Sequence, residues 1–61
     1  MIKAYLVTGS NEWAIKRGWV FPQFYDLETP GFWWFKSSSY YPCCWTKNKN
    51  WAEKWLRRLN A

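Results

Sequence analysis

Reactive chemistry in this chain would have to come from very few groups. Cys43 and Cys44 are adjacent, Asp26 and Glu28 are the only close pair of carboxylates, and histidine is absent. Without histidine, imidazole acid–base catalysis and every cysteine–histidine couple are excluded. A thiol attacks as its thiolate, and no group is spaced along the sequence so as to lower the pKa of either cysteine. Neighbouring residues of an extended segment point to opposite sides, so one of the two thiols is expected to be buried and the other exposed. A disulfide between direct neighbours needs a strained geometry. Two thiolates also fall short of the four ligands of a structural zinc site, unless a dimer supplies two from each chain. Asp26 and Glu28 stand beside Pro30 and Gly31 and read as turn residues. The sequence therefore points to a protein that is not an enzyme, with no catalytic residue, no metal site and no cofactor.

Recognition is the richer chemistry here. The net charge is +5, and aromatic residues make up 25% of the chain, with seven Trp among them. Up to residue 35, Lys3, Lys16 and Arg17 are balanced by Glu12, Asp26 and Glu28; beyond it Lys36, Lys47, Lys49, Lys54, Arg57 and Arg58 face Glu53 alone. A charge excess gathered in one segment suits an anionic partner, although it equally serves as a solvated face. Residues 31–45, GFWWFKSSSYYPCCW, hold seven aromatic rings in fifteen positions. The cations Lys36, Lys47, Lys49, Lys54, Arg57 and Arg58 are candidate phosphate contacts, and Trp34, Tyr40, Tyr41 and Trp45 are candidate stacking or interface residues. Tyr, Trp and Arg also dominate the centres of protein–protein interfaces.

These side chains must be positioned by a fold of 61 residues. A chain of that length is a single domain, 1–61, that buries only about 60% of its unfolded surface, and the large rings compensate for its small core. IKAYLVT, 2–8, is β-rich and alternating, GSN, 9–11, is a turn, and EWAIKRGWVF, 12–21, reads as a second strand with Gly18 as a bulge. PQFYDLETPG, 22–31, is a connection in which Pro30–Gly31 suits a type II turn. FWWFK, 32–36, is apolar on both faces and is placed centrally or under the helix, and YYPCCW is a short edge strand or a loop.

NWAEKWLRRLN, 50–60, is the clearest element. Asn50 and Glu53 have the spacing of a capping box. At about 100° per residue, Trp51, Ala52, Trp55, Leu56 and Leu59 share an arc of about 140°, and Glu53, Lys54, Arg57 and Arg58 fill the opposite one. A helix this short needs to dock, most simply on the sheet.

The fold class expected is α+β: a small antiparallel β-meander of three to four strands with one C-terminal amphipathic helix packed on one face. The other sheet face is expected to be open unless a partner covers it, so a homodimer is one way to bury it. Of the surplus rings, some of Tyr5, Trp33 or Trp34, Tyr40, Tyr41 and Trp45 are expected to be partly exposed. In architecture alone, a small antiparallel sheet followed by a helix resembles the DNA-binding sheets of plant AP2-type domains and phage integrase arm-binding domains; no diagnostic motif of either accompanies it.

The function expected first is a non-enzymatic binding protein whose basic, Trp- and Tyr-rich surface docks on nucleic acid or a nucleotide. The alternative is a phage or mobile-element accessory protein that inhibits a host protein by binding an acidic protein surface. A further alternative is a cationic, Trp-rich protein acting at membranes. The start MIKAYLVTGS lacks the pattern of a signal peptide, and no apolar run reaches the length of a transmembrane segment. Together with an initial Met and a helix close to the last residue, these features read as a complete, cytoplasmic small protein, which includes the cytoplasm of a phage-infected host cell.

Overall fold

The computed structural model describes residues 3–18, 20–30, 34–36 and 41–61. Strand β1, Tyr5–Gly9, and strand β2, Glu12–Arg17, form a hairpin in antiparallel register, from Tyr5 opposite Lys16 to Gly9 opposite Glu12. Ser10 and Asn11 close it with φ of 51° and 65°. Two successive left-handed residues give the turn twist that matches the right-handed twist of the strands.

β2 ends four residues earlier than the expected 12–21 strand. Gly18 has φ +87°, and a Cβ there would lie 3.0 Å from the carbonyl oxygen of Phe21. The chain reverses rather than bulging, and Pro22 has no N–H to offer a ladder. Strand β3, Gln23–Tyr25, starts immediately after it, within the stretch expected to be a connection. β4, Trp34–Lys36, pairs with β3. The expected strand residues Ile2, Trp19, Phe32 and Trp33 lie outside the described residues, as does Gly31 of the expected Pro30–Gly31 turn. The sheet has the order β1-β2-β3-β4, antiparallel throughout. With one C-terminal helix this is the expected α+β meander.

Helix α1, Lys49–Leu59, is capped by Asn48 and not by Asn50. The Thr46 hydroxyl accepts the Asn48 N–H at 3.1 Å, and the Asn48 side-chain oxygen accepts the Trp51 N–H at 3.1 Å. That first contact holds Asn48 extended, as a cap must be, and leaves Asn50 inside the first turn. Ala52 is fully buried, Trp51, Trp55, Leu56 and Leu59 are half-buried, and Lys54, Arg57 and Arg58 are exposed, as the wheel requires. The apolar stripe packs on Ala4, Ile15, Tyr25 and Leu27. The Trp51 indole N–H donates to the Leu27 carbonyl at 2.9 Å. At the far end, Asn60 accepts the Ala4 N–H at 3.0 Å and donates to the Ala4 carbonyl at 2.8 Å, tying the end of α1 to the start of β1.

The second sheet face is covered over much of its area, with Tyr5 left exposed on it. Successive strand residues point to opposite faces, yet Ala14 and Ile15 on β2 are both 0% exposed. The cover over Ala14 is the chain itself. Residues 41–46, with a single 3-10 turn at Pro42–Cys44, cross that face, and Cys44 is fully buried there. The turn explains why YYPCCW reads poorly as a strand, since Pro42 starts a tight helical turn as readily as it ends a ladder. Tyr41 stacks on Phe35 at 4.5 Å, Trp45 lies 5.9 Å from Phe24, and Thr46 forms an antiparallel bridge with Trp13. Among the described residues, no helix is long and apolar enough to cross a membrane.

Candidate functional site

The strand directions sort the charges. The start of β1, the end of β2, the start of β3 and the end of β4 share one end of the sheet by register. The end of α1 joins them through the Asn60–Ala4 pair. That end carries Lys3, Lys16, Arg17, Lys36, Arg57 and Arg58. None of the four acidic residues is there. Glu12 opens β2 at the opposite end, Asp26 and Glu28 follow β3 at that same opposite end, and Glu53 lies in the first half of α1. The molecule is thus polarised along its strands, a separation that the balanced charges of the first 35 residues conceal in the linear sequence.

Projecting from the cationic end is the turn between β2 and β3. Val20 is 81% exposed and Phe21 86%, by far the most exposed of the large apolar side chains described. Tyr5, at 41%, stands beside Lys16 on the neighbouring strand. Arg17 and Gln23, which flank the turn, are joined by a hydrogen bond of 2.9 Å from Nε to Oε1. Lys36 sits opposite Gln23 on β4.

The expected phosphate contacts divide between the two ends. Lys36, Arg57 and Arg58 are at the cationic end, Lys47 and Lys49 lie around the start of α1 at the other, and the Lys54 ammonium sits 5.4 and 5.9 Å from the rings of Trp51 and Trp55. All six are exposed. The expected stacking residues divide between the two faces. Trp34 is on the helix side, packed against Tyr25 at 4.9 Å, with the Arg17 guanidinium 3.8 Å above its ring. Tyr41 and Trp45 are on the opposite side, half-buried against Phe35 and Phe24. Tyr40 lies outside the described residues. The structure therefore does not bring these ten residues together as one surface.

Residues absent from the expected set are Lys3, Lys16, Arg17, Val20 and Phe21. The signal that marks the last two is the bracketing of WVF by Gly18 and Pro22, which favours a turn tip over a continuing strand. Lys16 and Arg17 become legible only once the meander places the acids elsewhere.

The two thiols follow the expected division only in part, because they lie in a 3-10 turn and not in an extended segment, and neither is fully exposed. Cys44 is fully buried and Cys43 half-buried. Burial pushes the Cys44 thiol up to about 12, reinforced by the adjacent Cys43, which also hydrogen-bonds to it, and by Asp26. A thiol held protonated is a poor nucleophile and a poor metal ligand. The Cys43 carbonyl accepts the N–H groups of Leu27 and Glu28, both at 3.1 Å, so this backbone ties the cover to the loop after β3. Asp26 acts in the same loop, its side chain accepting from the N–H groups of Glu28 and Thr29 at 3.0 Å each. Among the described residues, no group of three or more Cys, Asp or Glu is arranged to hold a metal ion.

Compared with known proteins, the chain matches no family model, no curated protein and no solved structure. The functional reading therefore rests on the residues and their placement alone.

Proposed function

We propose that this protein is a non-catalytic binder of nucleic acid that docks through the end carrying Lys3, Lys16, Arg17, Lys36, Arg57 and Arg58. The observation that supports this reading is the charge separation itself: six cationic side chains converge where no acidic side chain stands, and all four acidic side chains lie elsewhere. A polyanion meeting that end releases condensed counterions, which makes its binding steeply dependent on salt.

The test is fluorescence anisotropy with labelled oligonucleotides at several salt concentrations. With three to six phosphate contacts on a single strand, the slope of log K against log salt is expected at about −2 to −4. Replacing Arg57 and Arg58 by Gln should flatten that slope by about 0.7 for each phosphate no longer neutralised, whereas Lys47→Gln with Lys49→Gln, at the opposite end, should leave it nearly unchanged. Binding that ignores salt, or that responds equally to both pairs of substitutions, would sink the reading.

A further inference from the structure

The cationic end is a source of charge, but its most exposed parts are apolar. Phe21 and Val20 extend from a turn whose shape is set by Gly18 at φ +87° and whose base is held by the Arg17–Gln23 hydrogen bond. Most of the other described rings have partners. Tyr25, Trp34, Trp51 and Trp55 pack on one another beneath the helix, Tyr41 on Phe35, and Trp45 on Phe24. The face of Trp34 is further occupied by the Arg17 guanidinium at 3.8 Å. Phe21, at 86% exposure, has most of its surface in solvent and contributes little to the core.

Its surroundings are charged on both sides of the sheet. Lys16 points to one face, and Arg17 and Lys36 point to the other, two strands apart and so separated by about 10 Å. An uncommitted ring between cations on both faces is complementary to a strand whose bases are unpaired and whose phosphates run past on either side.

We propose that Phe21 is the platform on which an unpaired base of single-stranded nucleic acid stacks, with Val20 beside it and Lys16, Arg17 and Lys36 holding the flanking phosphates. This rests on the nucleic-acid reading and narrows it to a single-stranded partner. A duplex presents no free base face unless a step is unstacked at a cost of a few kcal/mol. A lipid surface would receive little beyond Val20, Phe21 and part of Tyr5 among the described side chains, because the apolar stripe of α1 is committed to the core. One ring is enough for one base.

The experiment compares wild type, Phe21→Ala and Phe21→Trp for binding to a labelled single-stranded 12-mer, a duplex of the same sequence and phosphatidylserine vesicles, across a salt series. Both substitutions are at an exposed tip, and circular dichroism and thermal melting confirm that the fold is retained. Phe21→Ala is expected to weaken single-strand binding about 5- to 150-fold without changing the salt slope, and Phe21→Trp to retain wild-type affinity within about threefold. If Phe21→Ala binds the single strand within about twofold of wild type while the salt slope persists, the stacking inference fails and the cationic reading survives. If no oligonucleotide binds in a salt-dependent way, both fail. Preference for the duplex, or binding to vesicles alone, overturns the single-stranded partner.

Discussion

Asn60→Ala removes the side chain that joins the two ends of the described fold, across 56 positions of sequence. Two hydrogen bonds disappear, of 3.0 and 2.8 Å. Each is worth about 0.5–1.5 kcal/mol net, and the Ala4 N–H and carbonyl they served belong to a residue that is only 6% exposed. Asn60 itself is half-buried, so water reaches part of the vacated space. The expected loss is about 2 kcal/mol. Against the roughly 3–9 kcal/mol of total stability usual for a chain this size, that is a large fraction. For a domain of this size it corresponds to a fall in Tm of about 8–16 °C, read by circular dichroism in a thermal scan. Asn60→Asp refines the test. It keeps the acceptor for the Ala4 N–H but turns a carboxylate toward the Ala4 carbonyl and places negative charge at the end of a helix. It should be at least as damaging as Asn60→Ala at pH 7, and should gain on the alanine variant below about pH 4, where the protonated carboxyl again donates. An alanine variant melting within about 3 °C of wild type would refute the claim that this pair closes the fold.

Three further outcomes follow from local geometry. Gly18→Ala should cost about 1–2 kcal/mol in chemical denaturation, because a Cβ is strained at φ +87° and meets the Phe21 carbonyl at 3.0 Å; Gly9→Ala, where the added Cβ makes ordinary contact with Trp45 at 3.6 Å, should cost much less. Ile15→Ala, at a site of 0% exposure, should lose about 2–5 kcal/mol and leave much of the chain unfolded at 37 °C. The raised pKa of Cys44 means that the folded state keeps a proton that the unfolded state releases. Its contribution is fully present below the ordinary thiol pKa of about 9 and declines as pH rises from there toward about 12. Denaturant midpoints taken from pH 8 to 10.5 should fall more steeply for wild type than for Cys44→Ala, and identical slopes would contradict that burial.

The helix and its polarity were legible from the spacing of Trp51, Trp55, Leu56 and Leu59, because a 3.6-residue period sets which side chains share a face regardless of what they dock against. The first hairpin was legible for a similar reason. The end of β2 was not, because Trp19 and Phe21 continue the parity of Trp13 and Ile15 while the conformation of Gly18 overrides it. The helix cap was displaced by two residues because Asn48 and Asn50 are equally good caps in isolation, and only the Thr46 hydroxyl favours the first. The cover over the second face depends on tertiary contacts of Tyr41, Cys44 and Trp45 that leave no periodic trace. The cationic end was hidden for a geometric reason: Lys16 and Arg17 are offset by Glu12, Asp26 and Glu28 along the chain, but the antiparallel strands carry those charges to opposite ends.

The bridge between Trp13 and Thr46 has a colloidal consequence. β3 pairs with β2 only at Lys16 and Arg17, so the other half of that side of β2 would present bare amide and carbonyl groups next to Ala14 and Ile15. Thr46 fills this gap, accepting from the Trp13 N–H at 2.8 Å and donating to the Trp13 carbonyl at 2.9 Å. An unfilled edge of that kind is a template for the strand of another molecule. The short segment after the 3-10 turn therefore acts as a plug, denying an intermolecular strand its place in a chain that is one-quarter aromatic. Protection of this stretch of β2 rests on one residue pair, through backbone groups that side-chain substitution at Thr46 leaves in place, apart from proline, which would remove the N–H and leave the carbonyl.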